Sequence, residues 1–381
     1  MVSKKFLITI VTLIVVALAT GVAIFLAKGY TFSPSEQRIV GTGILTVASR
    51  PDSASVFVDG HLTTATNATI PSLPPKKYTV RVVKEGFIPW EKEVEIKEGL
   101  VTELKLTLFP AIPSIYPLTV NGVLNPVLSP NGDKLVYIVP TDKKAGVWVW
   151  TMAKDQPISF ARSSEPHQIF SNAVANYDLS KVTLRWSPDS QQVLMTTGDS
   201  NLVLDSERSN TDPRDITPTL SSTLNTWEED TQAAKVARLS TMTDGNLRKI
   251  ASDSAIVSWS PDETKFIARE KALTEEEKDK PVTGMKVYVV EDEAGLPTKE
   301  QFDLPAAKHH IWLPDSEHII LVEDGSLSIM DYDGTNKAVI YAGNFLNGFV
   351  FPWPDSSRLV FITSFPTPTA SQPNLYGINL K

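Results

Sequence analysis

Three hydrophobic rhythms divide this chain. Residues 6–27 read FLITIVTLIVVALATGVAIFLA, without a charge and apolar on every side of a helix. Uniform apolarity of that kind predicts a helix suited to lipid and not to a half-solvated face. From about residue 44 the pattern turns to alternation. Tyr78, Val80 and Val82 interleave with Thr79 and Arg81, Val94 and Ile96 stand between charged residues, and Leu104, Leu106 and Leu108 alternate with Glu103, Lys105 and Thr107. A period of two means strands with one buried and one solvated face. After residue 125 short apolar runs (LVYIV, VLMTT, FIARE, IILVE and LVFIT) each follow a proline and an Asp or Asn.

At ~1.5 Å per residue the first run rises about 33 Å, enough for a hydrocarbon core of ~30 Å. Lys4 and Lys5 precede it and Lys28 ends it. The positive-inside bias then predicts a single-pass anchor through residues 6–27, a cytoplasmic N-terminus, and everything after Lys28 outside the cytoplasm. A cleaved signal peptide competes, because Ala17-Leu18-Ala19 has the small-x-small form of a cleavage site. The run nevertheless continues past that site.

Residues 29–43 (GYTFSPSEQRIVGTG) are polar and turn-rich and read as a tether. The alternating strands then occupy 44–110, about 65 residues, the size of a simple antiparallel sandwich with a small core. Within it Val56-Phe57-Val58 runs into Asp59-Gly60, a tight-turn signal. The stretches LTVASRPDSASVFVDG and LPPKKYTVRVVKEGFIPWEKEVEI resemble the PEGA domain. Val56 to Gly60 match its V-x-V-D-G turn, Leu73 to Pro75 its Leu-Pro-Pro approach, and Lys84 to Trp90 its Lys-x-Gly-aromatic turn. That resemblance implies a bacterial or archaeal envelope protein and a role in surface interaction, with no catalysis attached.

Phe109 to Pro113 form a Pro-rich joint, and repeats follow from about 118 to 381. The turn motifs are Leu128-Ser129-Pro130-Asn131-Gly132, Trp186-Ser187-Pro188-Asp189-Ser190, Trp259-Ser260-Pro261-Asp262-Glu263, Trp312-Leu313-Pro314-Asp315-Ser316 and Trp353-Pro354-Asp355-Ser356. Each is followed by two strand-like runs. A repeated supersecondary unit cannot bury its own face and must stack on its neighbours. Proline belongs at the start of a strand, and the Asp accepts a turn amide. The pattern resembles the TolB-like family of β-propellers, whose W-S-P-D-G signature keeps its glycine here only at Gly132. The other four turns, with Ser or Glu there, are therefore expected to differ in conformation.

The prolines lie 58, 73, 53 and 40 residues apart. The widest gap holds helix formers after Thr226, and a helix is expected over 225–240 with Leu224, Trp227, Ala234 and Leu239 inward. A degenerate sixth blade is the competing reading. The fold class expected is thus all-β: a transmembrane helix, a PEGA-like sandwich, then five clear WD40-like blades with a degenerate sixth. The charged run from Thr274 to Lys280 reads as a solvated loop.

Candidate chemistry is sparse. The chain has no cysteine, so neither a disulfide nor a thiolate site can form. The histidines His61, His167, His309, His310 and His318 form no H-E-x-x-H pair. His309-His310 could line a pocket, or simply enter a blade. Asp331-Tyr332-Asp333-Gly334 begins like a calcium loop, but position twelve is Ala342, so a β-turn is expected. Gly41-x-Gly43 lacks the third glycine of a dinucleotide fingerprint, and Asn67-Ala68-Thr69 is a lone sequon. No G-x-S-x-G elbow occurs. Trp148, Trp150, Trp259, Trp312 and Trp353 could stack sugars or pack between blades. No catalytic, cofactor or metal residue is assigned.

The net charge is −8, and without the three lysines flanking the apolar run the remainder carries −11. An acidic body repels phosphate backbones, so no nucleic-acid partner is expected. The function expected is a non-catalytic, membrane-anchored envelope protein that displays both modules to bind another envelope protein or a cell-wall glycan. A propeller-based hydrolase of envelope glycan or peptide, and a passive spacer, are the alternatives.

Overall fold

The computed structural model describes residues 4–27, 30–33, 38–140, 144–152, 165–175, 177–269, 280–291, 295, 297–346, 348–364 and 372–381. Lys28 and residues 274–279 of the expected charged loop lie outside them. The chain divides into two compact units, Met1–Ile112 and Pro113–Leu380.

The first unit opens with helix α1, Lys4–Ala27. Ile8, Leu13 and Leu18 are exposed along it. Among the described residues no helix is long and apolar enough to cross a membrane. The single-pass anchor through residues 6–27, and the extracytoplasmic placement inferred from it, are corrected accordingly.

The expected tether contains a hairpin, Tyr30–Ser33 paired antiparallel with Arg38–Gly41. Beyond it, strands Ser55–Val58, His61–Ala65, Lys77–Val83 and Trp90–Glu95 make one antiparallel sheet. Gly43–Arg50, Ala68–Leu73 and Val101–Thr107 make the other. Leu45, Val47, Val56, Val80, Val82, Trp90, Val94 and Ile96 fill the core between them, as the alternation requires. One pairing departs from the antiparallel expectation. Gly43–Arg50 and Val101–Thr107 run parallel, from Ile44 opposite Val101 to Arg50 opposite Thr107. Alternation fixes which face is buried but not the direction of a neighbour.

Among the described residues the second unit contains five four-stranded antiparallel sheets. Blade 1 takes Leu124–Leu128, Lys134–Val139, Gly146–Thr151 and His167–Ser171. Blade 2 takes Thr183–Trp186, Gln192–Thr197, Ser200–Asp205 and Arg214–Asp215. Blade 3 takes Ile256–Trp259, Lys265–Arg269, Lys286–Val289 and Gln301–Asp303. Blade 4 takes His309–Trp312, His318–Glu323, Ser326–Asp331 and Ala338–Ala342. Blade 5 takes Val350–Pro352, Arg358–Thr363 and Asn374–Asn379, and its fourth strand is Ile115–Pro117, from the start of the unit. The start of the unit thus supplies the edge strand of its last sheet, beside Asn374–Asn379, and ties the two ends of the unit together.

The faces pack in chain order. Val136, Ile138 and Val149 of blade 1 meet Trp186, Val193 and Met195 of blade 2. Ile267 and Val287 of blade 3 meet Trp312, Ile319 and Leu321 of blade 4. Tyr341 of blade 4 lies 4.8 Å from Phe361 of blade 5. Trp150 and Trp353 meet edge-to-face at 5.4 Å where blade 5 returns to blade 1.

Between blades 2 and 3 the pattern changes. Helices α2, Leu220–Thr241, and α3, Gly245–Asp253, follow blade 2 in the chain. Trp227, Leu220 and Leu224 cover Leu194, Val203 and Ile216 on blade 2. Leu239, Met242, Leu247 and Ala251 cover Phe266, Ala268, Tyr288 and Val290 on blade 3. A helical pair thus fills the gap for which a helix was expected and a degenerate sixth blade was the competing reading, and among the described residues of this unit no sixth sheet occurs. α2 starts at Leu220, ahead of the expected 225, so Thr226 is not its cap but donates Oγ1–H to the carbonyl of Ser222 within the helix. Ala234, expected inward, is exposed.

Candidate functional site

The five Pro-Asp turns share one geometry. The amides of Ser129, Ser187, Ser260, Leu313 and Trp353 donate to the carbonyls of Lys134, Gln192, Lys265, His318 and Arg358 at 2.8–2.9 Å. By that register Trp353 fills the serine position of the motif, not the Trp position. The residue after Pro-Asp has a left-handed φ in every copy: Gly132 at 75°, Ser190 at 61°, Glu263 at 62°, Ser316 at 62° and Ser356 at 57°. Loss of the signature glycine therefore did not change the turns, contrary to expectation. L-residues tolerate this conformation at a cost of about 1–2 kcal/mol, so something must hold them there.

At two copies the holding contact is visible. The amide of Asn131 donates to Ser190 Oγ at 3.3 Å, and the amide of Asp262 donates to Ser316 Oγ at 3.1 Å. Each bond joins one blade's turn to the next blade's turn. Ser190 and Ser316 are 0% and 2% exposed, so these hydroxyls are bound out of water. Serine at the glycine position thus clasps neighbouring blades.

The same two joints carry two further contacts. Trp186 Nε1–H donates to the carbonyl of Val127 at 2.9 Å, and Trp312 Nε1–H to that of Ser258 at 3.0 Å. The lysine heading the next strand is buried and reaches across. Lys134 Nζ donates to the Ser190 carbonyl at 3.2 Å, to Ser206 Oγ at 3.2 Å and to Glu207. Lys265 Nζ donates to Glu317 Oε1 at 2.9 Å and sits 4.7 Å from the Tyr332 ring centre. Sequence reasoning passed over these lysines. Their signal was a cationic residue five positions after the serine, repeated at Lys134, Lys265, His318 and Arg358.

His318 replaces the lysine in blade 4 and is 6% exposed. Its Nδ1 lies 2.8 Å from Asp315 Oδ2, and its Nε2 lies 3.6 Å from Asp331 Oδ1. Burial opposes charge on the ring, but the Asp315 hydrogen bond and the charges of Asp315, Asp331 and Glu317 prevail and raise its pKa. Burial likewise raises Glu317 despite Lys265, whereas the His318 hydrogen bond carries Asp315 below the ordinary carboxylate range against its own burial. The cluster has carboxylates and an imidazole but adjoins no nucleophile among the residues named, and it knits a turn to its strand.

The other sequence candidates occupy structural positions. Trp150, Trp312 and Trp353 are buried between sheets, and Trp148 packs beside Trp150. His309 and His310 head the first strand of blade 4, and His310 Nε2 bonds to the Pro305 carbonyl at 2.8 Å. Asp331 to Gly334 form a turn, closed by the Gly334 amide on the Asp331 carbonyl at 3.0 Å. Among the described residues no group of three or more His, Asp or Glu could hold a metal ion.

The strand preceding each Pro-Asp turn lies at one end of its sheet. First strands of adjoining blades approach one another, at blades 1 and 2 and at blades 3 and 4. Their unpaired edges therefore converge on the axis of the ring.

Residues 42–112 match the PEGA domain family model. No curated protein matches the chain by sequence. Among solved structures the chain is similar to TolB from Acinetobacter baumannii, at 11% identity and a TM-score of 0.24, covering 81% of this chain and 61% of that one. It thus spans under two thirds of that protein. A candidate TolB from Agrobacterium tumefaciens is 14% identical with a TM-score of 0.22, covering 65% of this chain and 76% of that one. The AfRom2 CNH domain is 10% identical with a TM-score of 0.29, covering 70% of this chain and all of that one, 100%. Strand pairing within the chain, and not these likenesses, establishes the five-bladed architecture.

Proposed function

We propose that this protein is a non-catalytic binding or scaffolding protein in which a PEGA-like module is joined to a five-bladed propeller of TolB-like kind, with a protein or glycan as partner. The observation that supports the reading most is where the reactive side chains are spent. Lys134, Lys265, His318 and Asp315 are bonded into turns and joints between blades and are unavailable to a substrate. Accessible polar groups lie instead on the axial strands and connecting loops, which suits recognition.

The test is capture from detergent-solubilised cell extract by the full chain and by a chain lacking 113–380. The expected result is a partner retained by the first and lost by the second. Equal recovery would remove the propeller from the role. Turnover of glycan or peptide substrates that His318→Asn abolishes would favour the hydrolase instead.

A further inference from the structure

We propose that the axial strands of the ring form a receptor for an anionic oxygen group, carboxylate or phosphate, with Arg185 as its principal ligand. The inference rests on the binding reading above and names the chemistry of what is bound.

The five strands concerned are Leu124–Leu128, Thr183–Trp186, Ile256–Trp259, His309–Trp312 and Val350–Pro352. None contains an Asp or Glu, in a chain with 44 such residues and a net charge of −8. Their ionisable residues are Arg185, His309 and His310. Burial holds both histidines below the ordinary imidazole range, so near pH 7 they offer N–H groups and Arg185 supplies the charge.

Arg185 is exposed and, among the described residues, makes no hydrogen bond or ion pair. Arg208 and Arg238 are occupied, by Asp205 at 2.9 Å and by Glu263 at 2.7 Å, whereas Arg50 and Arg214, unpaired like Arg185 among the described residues, lie outside the axial strands. An unpaired guanidinium presents a planar fork of donors that matches an oxyanion bidentately.

Its place in the ring also leaves its backbone without the interblade bond made at the other joints. Positions equivalent to Arg185 in blades 1 and 3 are Val127 and Ser258, whose carbonyls are claimed by the Trp of the next blade. The Trp following blade 2 is Trp259, which makes no such bond among the described residues and instead lies under the Arg238 guanidinium at 5.6 Å. Arg185 pairs with Leu194 across the sheet and shares its face, and α2 covers that face at Leu194 through Trp227. The helical pair thus separates blades 2 and 3 and leaves the axial edge beside Arg185 open. Acidic surroundings repel an anion elsewhere on the body, which makes a carboxylate-free axis with one cation selective by contrast.

Calorimetric titration of the full chain at low salt with triglutamate, and separately with inorganic phosphate, tests this. At least one probe is expected to bind saturably, about tenfold more weakly to Arg185→Ala, a loss of about 1.4 kcal/mol. Arg185→Gln should behave the same, and Arg214→Ala, on the outermost strand of the same blade, should bind like the parent. Melting temperatures of all three variants should match the parent. Saturation by triglutamate alone marks a carboxylate source, by phosphate alone a phosphate source, and either supports the site. No saturable binding of either probe, or binding indifferent to both Arg185 variants, overturns the inference. So does a captured partner that survives Arg185→Ala, which leaves the binding reading standing.

Discussion

Trp186, Trp259 and Trp312 occupy one repeat position but are expected to differ in what Phe substitution costs. Trp186 and Trp312 are each 5% exposed and each donate an indole hydrogen bond across a joint. Phe retains a ring but removes that donor and about two buried carbons. The hydrogen bond contributes about 0.5–1.5 kcal/mol. The carbons contribute about 1.5 kcal/mol at roughly 0.8 each. Trp186→Phe and Trp312→Phe should therefore destabilise the unit by about 2–3 kcal/mol. Trp259 is half-buried and makes no interblade bond among the described residues, so its replacement should cost about 1 kcal/mol or less. With ~2–4 °C per kcal/mol for units of this size, melting should fall by roughly 5–10 °C for the first two and by about 3 °C for the third. Thermal denaturation followed by circular dichroism on the full chain reads this directly. Equal losses at all three positions would mean that blade 3 meets blade 2 as the others meet, and the helical wedge would be wrong.

His318 makes a pH-dependent contribution. Its raised folded pKa means stability that is complete below the unfolded value of ~6.5 and lost as pH rises through the folded value. Melting should therefore fall from pH 6 to pH 9 in the parent and fall less in His318→Asn; matching slopes would refute the assignment. At the left-handed turn position, Ser356 carries φ 57° and Ser190 carries φ 61°, but of the two only Ser190 Oγ accepts an interblade amide among the described residues. Ser356→Gly should thus be more favourable than Ser190→Gly by about 1 kcal/mol in chemical denaturation, and the reverse order would sink the clasp. Trp227→Ala should cost about 3–5 kcal/mol, since it removes the main anchor of α2 on blade 2; a loss under about 1 kcal/mol would show the helix to be peripheral.

How far the sequence could be read depended on the range of the forces involved. Alternation at Tyr78, Val80 and Val82 reports local burial and yielded strands, but the parallel register of Ile44 with Val101 is set by a contact 57 residues away and leaves no periodic mark. The five turns were legible because Pro and Asp act locally. What Ser190 and Ser316 do was not legible, because their partners Asn131 and Asp262 lie in the preceding copy. Ile115–Pro117 was missed as a blade strand, being three residues long and paired with the far end of the chain. The apolar run 6–27 was read by hydropathy and length together, and among the described residues no helix meets both requirements of a membrane span.

Joint chemistry divides the ring unevenly, and the division bears on function. Blades 1 and 2 share a hydroxyl clasp, an indole bond and a buried lysine, and blades 3 and 4 share the same three contacts. Blades 2 and 3 are linked through helices that touch each by separate apolar patches. Such a joint has fewer directional bonds to break, so opening should concentrate there and not at the clasped pairs. The same joint exposes Arg185, the cation of the axial strands. A ligand bridging Arg185 to blade 3 would restore a cross-joint bond that the missing Trp259 contact leaves unmade, and would thereby stiffen the ring as it binds.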